Sequence, residues 1–177
     1  MQPITVAIAD ADRGRQTKFE HSLQSEQGIR VLTNVASSKN DMARNRRLKP
    51  RTSISAIEDV VARVRRLNPR VLLANLNQCM DADCAMLVSL RRECPETLVV
   101  LLADEVVRED QIIQALASGA RGCLSGESAL SFLSKAVHVV DRGEAWVPRR
   151  MLGKIMDEVL HWGHESSAAE VRLDSAC

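Results

Sequence analysis

Residues 98–126 read LVVLLADEVVREDQIIQALASGARGCLSG, and the order of patterns in this stretch decides the fold class. Leu98 to Ala103 has the length of a strand and is apolar at consecutive rather than alternate positions, as expected of a strand covered on both faces. Ile112, Ile113 and Leu116 recur at helical spacing ahead of Ser118-Gly119-Ala120, where Gly119 suits a helix end. Arg121 to Ser125 forms a second, weaker strand run. Strand, helix and strand in so short a stretch predict two parallel strands joined by a helical crossover.

The same alternation extends to either side. Ile4 to Ala9, Ile29 to Val35 and Val71 to Leu76 are further buried-strand runs rich in Val, Ile and Leu. Helix patterns lie between them: Asp12 to Gln24 with Phe19 and Leu23 on one face, then Ile57, Val60, Val61, Val64 and Leu67 behind a capping box at Ser55 and Glu58. Met86, Leu87 and Leu90 precede Cys94-Pro95, and Leu130, Leu133, Val137 and Val140 mark a helix ending at Gly143. Strand and helix alternate five times, which predicts an α/β doubly wound, five-stranded parallel sheet with helices on both faces. Chemistry in such sheets sits beyond the carboxyl ends of the strands.

Two segments stand outside the alternation. Residues 37–54 separate the second strand from its helix, far more than the ~2–6 residues of an ordinary βα loop, and hold Lys39, Arg44, Arg46, Arg47, Lys49 and Arg51 against Asp41. After Gly143, Pro148 opens a further helix pattern with Met151, Leu152, Ile155, Met156, Val159 and Leu160 on its apolar face. The domain organisation read here is 1–143, with the basic insertion at 37–54, a helix within 144–162 and a flexible polar tail at 163–177.

Composition narrows the function classes. At 177 residues the chain is one domain or one domain with an appendage, and a formal net charge of +1 gives no global pull toward nucleic acid or anionic lipid. Two Trp, two Phe and no Tyr leave almost no aromatic platforms for stacking bases or sugars. Five cysteines form an odd set without C-x-x-C spacing or a nearby His, which predicts a reducing cytoplasm rather than a disulfide or zinc framework. No window is apolar for long enough to span a membrane.

The predicted strand ends are Asp10-Ala11-Asp12, Asn75, Leu102-Ala103 and Ser125-Gly126. An acidic cluster facing the end of a neighbouring strand is a way to hold a hard divalent cation, and Asp10 and Asp12 are its candidate ligands. Against this, the cluster is thin, Asn75 carries no charge, and Asp12 is well placed to cap the following helix. The plainer reading, a strand end plus a helix cap with Asn75 bonded to neighbouring loops, is preferred to a working metal site.

VAIADAD before a helix, PRVLLANLN, LVVLLAD and above all SGARGCLSGES resemble the receiver domain of two-component response regulators, CheY-like or flavodoxin-like in fold, closest to receivers that precede a LuxR-type helix-turn-helix. The resemblance runs from about Ile4 to Gly143, apart from the insertion, and GEAWVPRRMLGKIMDEVL looks like the connector helix of those regulators. It implies a (βα)5 fold with an extra C-terminal helix. It also implies a set of functional positions that this chain mostly departs from. Asp10 matches the first of two adjacent acids, while Ala11 replaces the second, a magnesium ligand. The phosphoacceptor falls on Asn75, whose amide cannot form an acyl phosphate. The switch Thr or Ser falls on Leu102, the phosphate-pairing lysine on Gly126, and the usual Met-Pro on Gln78-Cys79. Nucleophile, metal and phosphoryl stabilisation are therefore missing together, which predicts a pseudo-receiver with no enzymatic activity and no cofactor.

The chain is accordingly expected to be an atypical response regulator that acts by protein contact and homodimerisation in transcriptional control. The resemblance implies dimer surfaces on the first and fifth helices, or on the fourth helix, fifth strand and fifth helix. Leu130, Leu133, Val137, Val140, Met151, Ile155 and Val159, taken along the sequence, supply more apolar surface than one sheet face needs. The 17 residues after Leu160 are too few for a helix-turn-helix domain, so DNA contact is expected only through a missing or separate output domain. Two alternatives remain open. The patch Arg44, Arg46, Arg47, Lys49 and Arg51 would bind nucleic acid or an acidic ligand, or Asp10 or Asp12 would serve as a residual magnesium-dependent phosphoacceptor.

Overall fold

The computed structural model describes residues 2–32, 54–80, 84–103, 108–125 and 128–161. Strand β1 (Ile4–Ala9) leads through Asp12 into α1 (Arg13–Gln24), and β2 (Ile29–Leu32) follows. Next come α2 (Ile54–Leu67), β3 (Val71–Asn75), α3 (Leu76–Met80) and α4 (Ala85–Glu93). The series closes with β4 (Leu98–Ala103), α5 (Glu109–Ala117), β5 (Ala120–Ser125) and α6 (Ser128–Asp141). All pairings are parallel and the sheet order is β2-β1-β3-β4-β5. The expected doubly wound α/β sheet is the fold observed, and its order reverses between β1 and β3, the switch point beyond which sheets of this kind hold their ligands.

Consecutive apolar residues are needed because each strand is buried on both sides. Val6, Ile8, Leu73, Val100, Leu102 and Leu124 form one apolar cluster with Phe19 and Leu23 of α1 and with Leu133, Val137 and Val140 of α6. The intervening residues Ala7, Leu72, Ala74, Val99 and Leu101 are equally buried and, by the two-residue period of a strand, face the other layer, which carries α2, α3, α4 and α5. Leu133, Val137 and Val140 thus correct one expectation. They are the core stripe of α6, fully buried within a single chain, and are not available as dimer surface.

Boundaries at Leu76 and Ile54 differ from the sequence reading. Leu76 opens α3 rather than ending β3, because Asn75 turns the chain with its own side chain. Ile54 is the first residue of α2 and not the last of the insertion, with Ser55 inside the helix, a displacement within the usual fraying of helix ends. Strand β2 is described to Leu32; the rest of its expected run, to Val35, and residues 37–53 of the insertion lie outside the described residues.

The chain divides into two compact units, Met1–Trp146 and Val147–Cys177. The first extends past Gly143 because Trp146 pairs in parallel with Gly122 of β5, through Cys123 N–H to the Trp146 carbonyl (2.9 Å) and Trp146 N–H to the Arg121 carbonyl (3.0 Å). A Cβ on Gly122 would stand 2.6 Å from that Trp146 carbonyl oxygen, so only glycine admits this extra strand-like contact. In the second unit a 3-10 turn (Arg149–Met151) continues as a helix over 152–161 that exposes Leu152, Met156, Val159 and Leu160. Among the described residues no helix is long and apolar enough to cross a membrane.

Candidate functional site

Parallel register places three sequence-predicted positions in a row at the carboxyl edge of the sheet. Ala9 pairs with Ala74, so Asp10 and Asn75 follow side by side, and Asn75 pairs with Leu102 on β4. All three are buried, and each is engaged in a different structural task.

Asp10 is held by Arg15, a residue that sequence reasoning passed over. The Arg15 Nε donates to Asp10 Oδ2 at 2.6 Å and Nη2 donates to Oδ1 at 2.9 Å, a two-pronged ion pair in which the Asp10 side chain is 1% exposed and that of Arg15 21%. Asp10 Oδ1 also accepts the Asp12 N–H at 2.9 Å. The hydrogen bonding of its guanidinium to Asp10 and the charge of that carboxylate raise the Arg15 pKa above its ordinary value, so the guanidinium stays charged throughout the working range. A fixed cation therefore sits on the one buried acid among the described residues of this edge. The signal for it was present but local: an arginine in the first turn of the helix that follows an acidic strand end.

Asp12 is the N-cap of α1, as the sequence suggested. Its Oδ1 accepts the Arg15 N–H at 3.1 Å, and that bond is the main cause of a carboxyl pKa below its ordinary value. Asn75 is 5% exposed and its Oδ1 accepts the Asn77 N–H at 2.9 Å, which makes it the N-cap of α3. Leu102 extends the apolar core and itself brings no hydroxyl to the edge. Among the described residues no three His, Cys, Asp or Glu side chains gather as a metal-binding group. Gly126 and the patch Arg44, Arg46, Arg47, Lys49 and Arg51 lie outside the described residues. Of the arginines that follow the patch, Arg65 pairs with Glu93 and Arg70 with Asp141.

Comparison of the whole fold with solved structures gives consistent neighbours. The receiver domain of RcsB from Salmonella enterica serovar Typhimurium superposes with a TM-score of 0.65 at 15% identity, covering 87% of this chain and 98% of that one. The fold is that of a response-regulator receiver domain. The receiver domain of the putative response regulator NarL from Mycobacterium tuberculosis gives 0.61 at 17% identity, with 81% and 100% covered. A LuxR family DNA-binding response regulator from Silicibacter pomeroyi gives 0.58 at 21% identity, with 82% and 98% covered. No protein-family model matches the sequence, and no curated protein matches it. The receiver framework is thus kept in three dimensions at low identity, as it is when core pattern and topology persist while individual residues change.

In the usual numbering of receiver helices α3 is an extra turn, so the fourth helix, fifth strand and fifth helix correspond here to α5, β5 and α6. On that side Leu130 and Phe132 of α6 are 40% and 46% exposed, and the Phe132 ring lies 6.2 Å from that of Trp146. Cysteines 79, 84, 94 and 123 are free and buried. Burial pushes the Cys123 thiol up to about 11 and raises Cys79 further, so both behave as small apolar groups.

Proposed function

We propose that the chain is a pseudo-receiver: a regulatory module of receiver fold that acts through protein contacts and homodimerisation in transcriptional control, without forming an acyl phosphate. The observation that carries this reading is the Arg15 clamp on Asp10. A phosphoacceptor receiver needs a carboxylate nucleophile and oxygen ligands left open for a divalent ion. Here the buried acid is already neutralised by a resident guanidinium, the neighbouring position is an amide that caps a helix, and the second acid of the edge caps another. Replacing a cluster of carboxylates and an exchangeable metal by one permanent ion pair removes the like-charge repulsion such a cluster carries when empty. The domain then rests in one state, with no chemical step to shift it.

The free, buried cysteines fit a reducing cytoplasm. Helix 152–161 serves in this reading as a connector toward an output domain, followed by the polar segment 163–177. The test is the oligomeric mass of the full chain by light scattering across concentration, with and without magnesium and beryllofluoride. A dimer whose mass and association constant ignore both additives is expected. A monomer at all concentrations, or association that depends on beryllofluoride, overturns the proposal.

A further inference from the structure

At the opposite, amino-terminal edge of the sheet, a cavity of about 370 Å³ opens between α4, the start of β4, the end of α5 and the start of β5. Leu87, Leu98, Val99, Leu116 and Ala120 give part of its wall an aliphatic character, and Pro95, Thr97, Gly119 and two arginines, Arg91 and Arg121, complete a lining that is at least as polar as it is apolar. Thr97 adds little polarity, since its hydroxyl already donates to the Pro69 carbonyl at 2.8 Å.

The two guanidiniums give the hollow its charge. Arg65, Arg70, Arg92, Arg108 and Arg142 each reach a carboxylate. Arg91 and Arg121 are exposed and make no ion pair or side-chain hydrogen bond with any described residue. Arg91 is also positioned rather than adrift. Gly119 adopts φ +116, and a Cβ there would fall 3.2 Å from the Arg91 Cδ, so the stem of Arg91 lies along the bare glycine backbone as a wall of the hollow. Two cations without an ion pair to any described residue, beside a recess of mixed lining with aliphatic side chains on part of its wall and a volume of the range that holds small ligands, form a complementary surface for one kind of guest.

We propose that this cavity binds a small organic anion with an apolar body, its carboxylate or sulfonate on Arg91 and Arg121 and its hydrocarbon part against Leu98, Leu116 and Ala120. The site shares no residue with the Asp10 edge and stands or falls independently of the pseudo-receiver reading. Bonds to a charged group strengthen binding by about tenfold or more per guanidinium, and apolar contact supplies the rest.

The full chain, uniformly labelled with nitrogen-15, is titrated with naphthalene-2-sulfonate and with uncharged 2-naphthol while amide shifts are followed. Saturable shifts are expected at Leu98, Val99, Gly119, Ala120 and Arg121, with the sulfonate binding about tenfold or more tighter than the naphthol. Arg91→Ala and Arg121→Ala, both at exposed side chains, should each weaken the sulfonate about tenfold while leaving the naphthol unchanged. Leu116→Trp should fill the recess and abolish both; if that variant does not fold, the two arginine variants decide alone. Equal binding of both probes, undiminished sulfonate binding in the Arg91→Ala/Arg121→Ala double variant, shifts centred elsewhere, or no shifts at all would overturn the proposal.

Discussion

Replacing Arg15 by Ala isolates the Asp10 pair. The substitution leaves a carboxylate that is 1% exposed with one backbone N–H and, among the described residues, no countercharge. Stripping one partner from a buried ion pair costs ~3–5 kcal/mol, and the 21% exposure of Arg15 lets some water follow, which lowers the expectation to ~2–4 kcal/mol at pH 7. A ceiling also applies: protonating an ordinary carboxylic acid at pH 7 costs about 4 kcal/mol, so beyond that the variant's native state takes up a proton instead. The ceiling falls by ~1.4 kcal/mol per pH unit, to about 1.5 kcal/mol at pH 5. The sign follows from linkage: a native state that binds a proton its unfolded state lacks becomes more stable as pH falls. Urea unfolding followed by circular dichroism at pH 7 and pH 5, with equal m-values, measures the gap to the unsubstituted chain. The gap should narrow at pH 5, and Asp10→Asn added to Arg15→Ala should recover more than half of the loss, since no buried charge is then unpaired. A loss under ~0.5 kcal/mol, or the same loss at both pH values, would refute the reasoning.

Other consequences are as direct. Asn75→Asp sets a second carboxylate beside Asp10 in the sheet register, so it should destabilise the fold at pH 7 and recover on acidification, whereas an unchanged midpoint would place the two side chains apart. Gly122→Ala forces a Cβ to within 2.6 Å of the Trp146 carbonyl oxygen and should cost ~1–3 kcal/mol, with faster hydrogen exchange at the Cys123 and Trp146 amides. Asp12 has a lowered pKa, so its cap stabilises the fold above about pH 3.8 and the benefit is lost as pH falls through its folded value; Asp12→Asn keeps a cap without that dependence. Acid titration should therefore narrow the difference between the two chains below about pH 4, and parallel curves would contradict the assignment.

The sheet was legible in the sequence because strands buried on both faces must be apolar at every position, and Leu98–Ala103 and Val71–Asn75 keep that rule without a break. The same continuity hid α3. Leu76 prolongs the apolar run, and only the capping capacity of Asn75 marks the turn into helix. At the candidate site the resemblance implied which positions lack the expected chemistry, since identity alone decides whether a side chain can carry a phosphoryl group. It did not reveal what those side chains do instead. Arg15 reads as a solvated residue of a first turn until β1 and α1 are placed, when its guanidinium reaches back to the strand end. The apolar face of α6 misled in the opposite sense, because Leu133, Val137 and Val140 look like surplus surface until the sheet that covers them is assembled.

The central claim, that this receiver fold has no phosphoryl chemistry, is tested most directly by the intact mass of the full chain after incubation with acetyl phosphate and magnesium, quenched in acid and compared with an untreated sample. The expected spectrum is unchanged at all times of incubation. A stoichiometric, magnesium-dependent gain of one phosphoryl group that fragmentation places on Asp10 or Asp12 would contradict it.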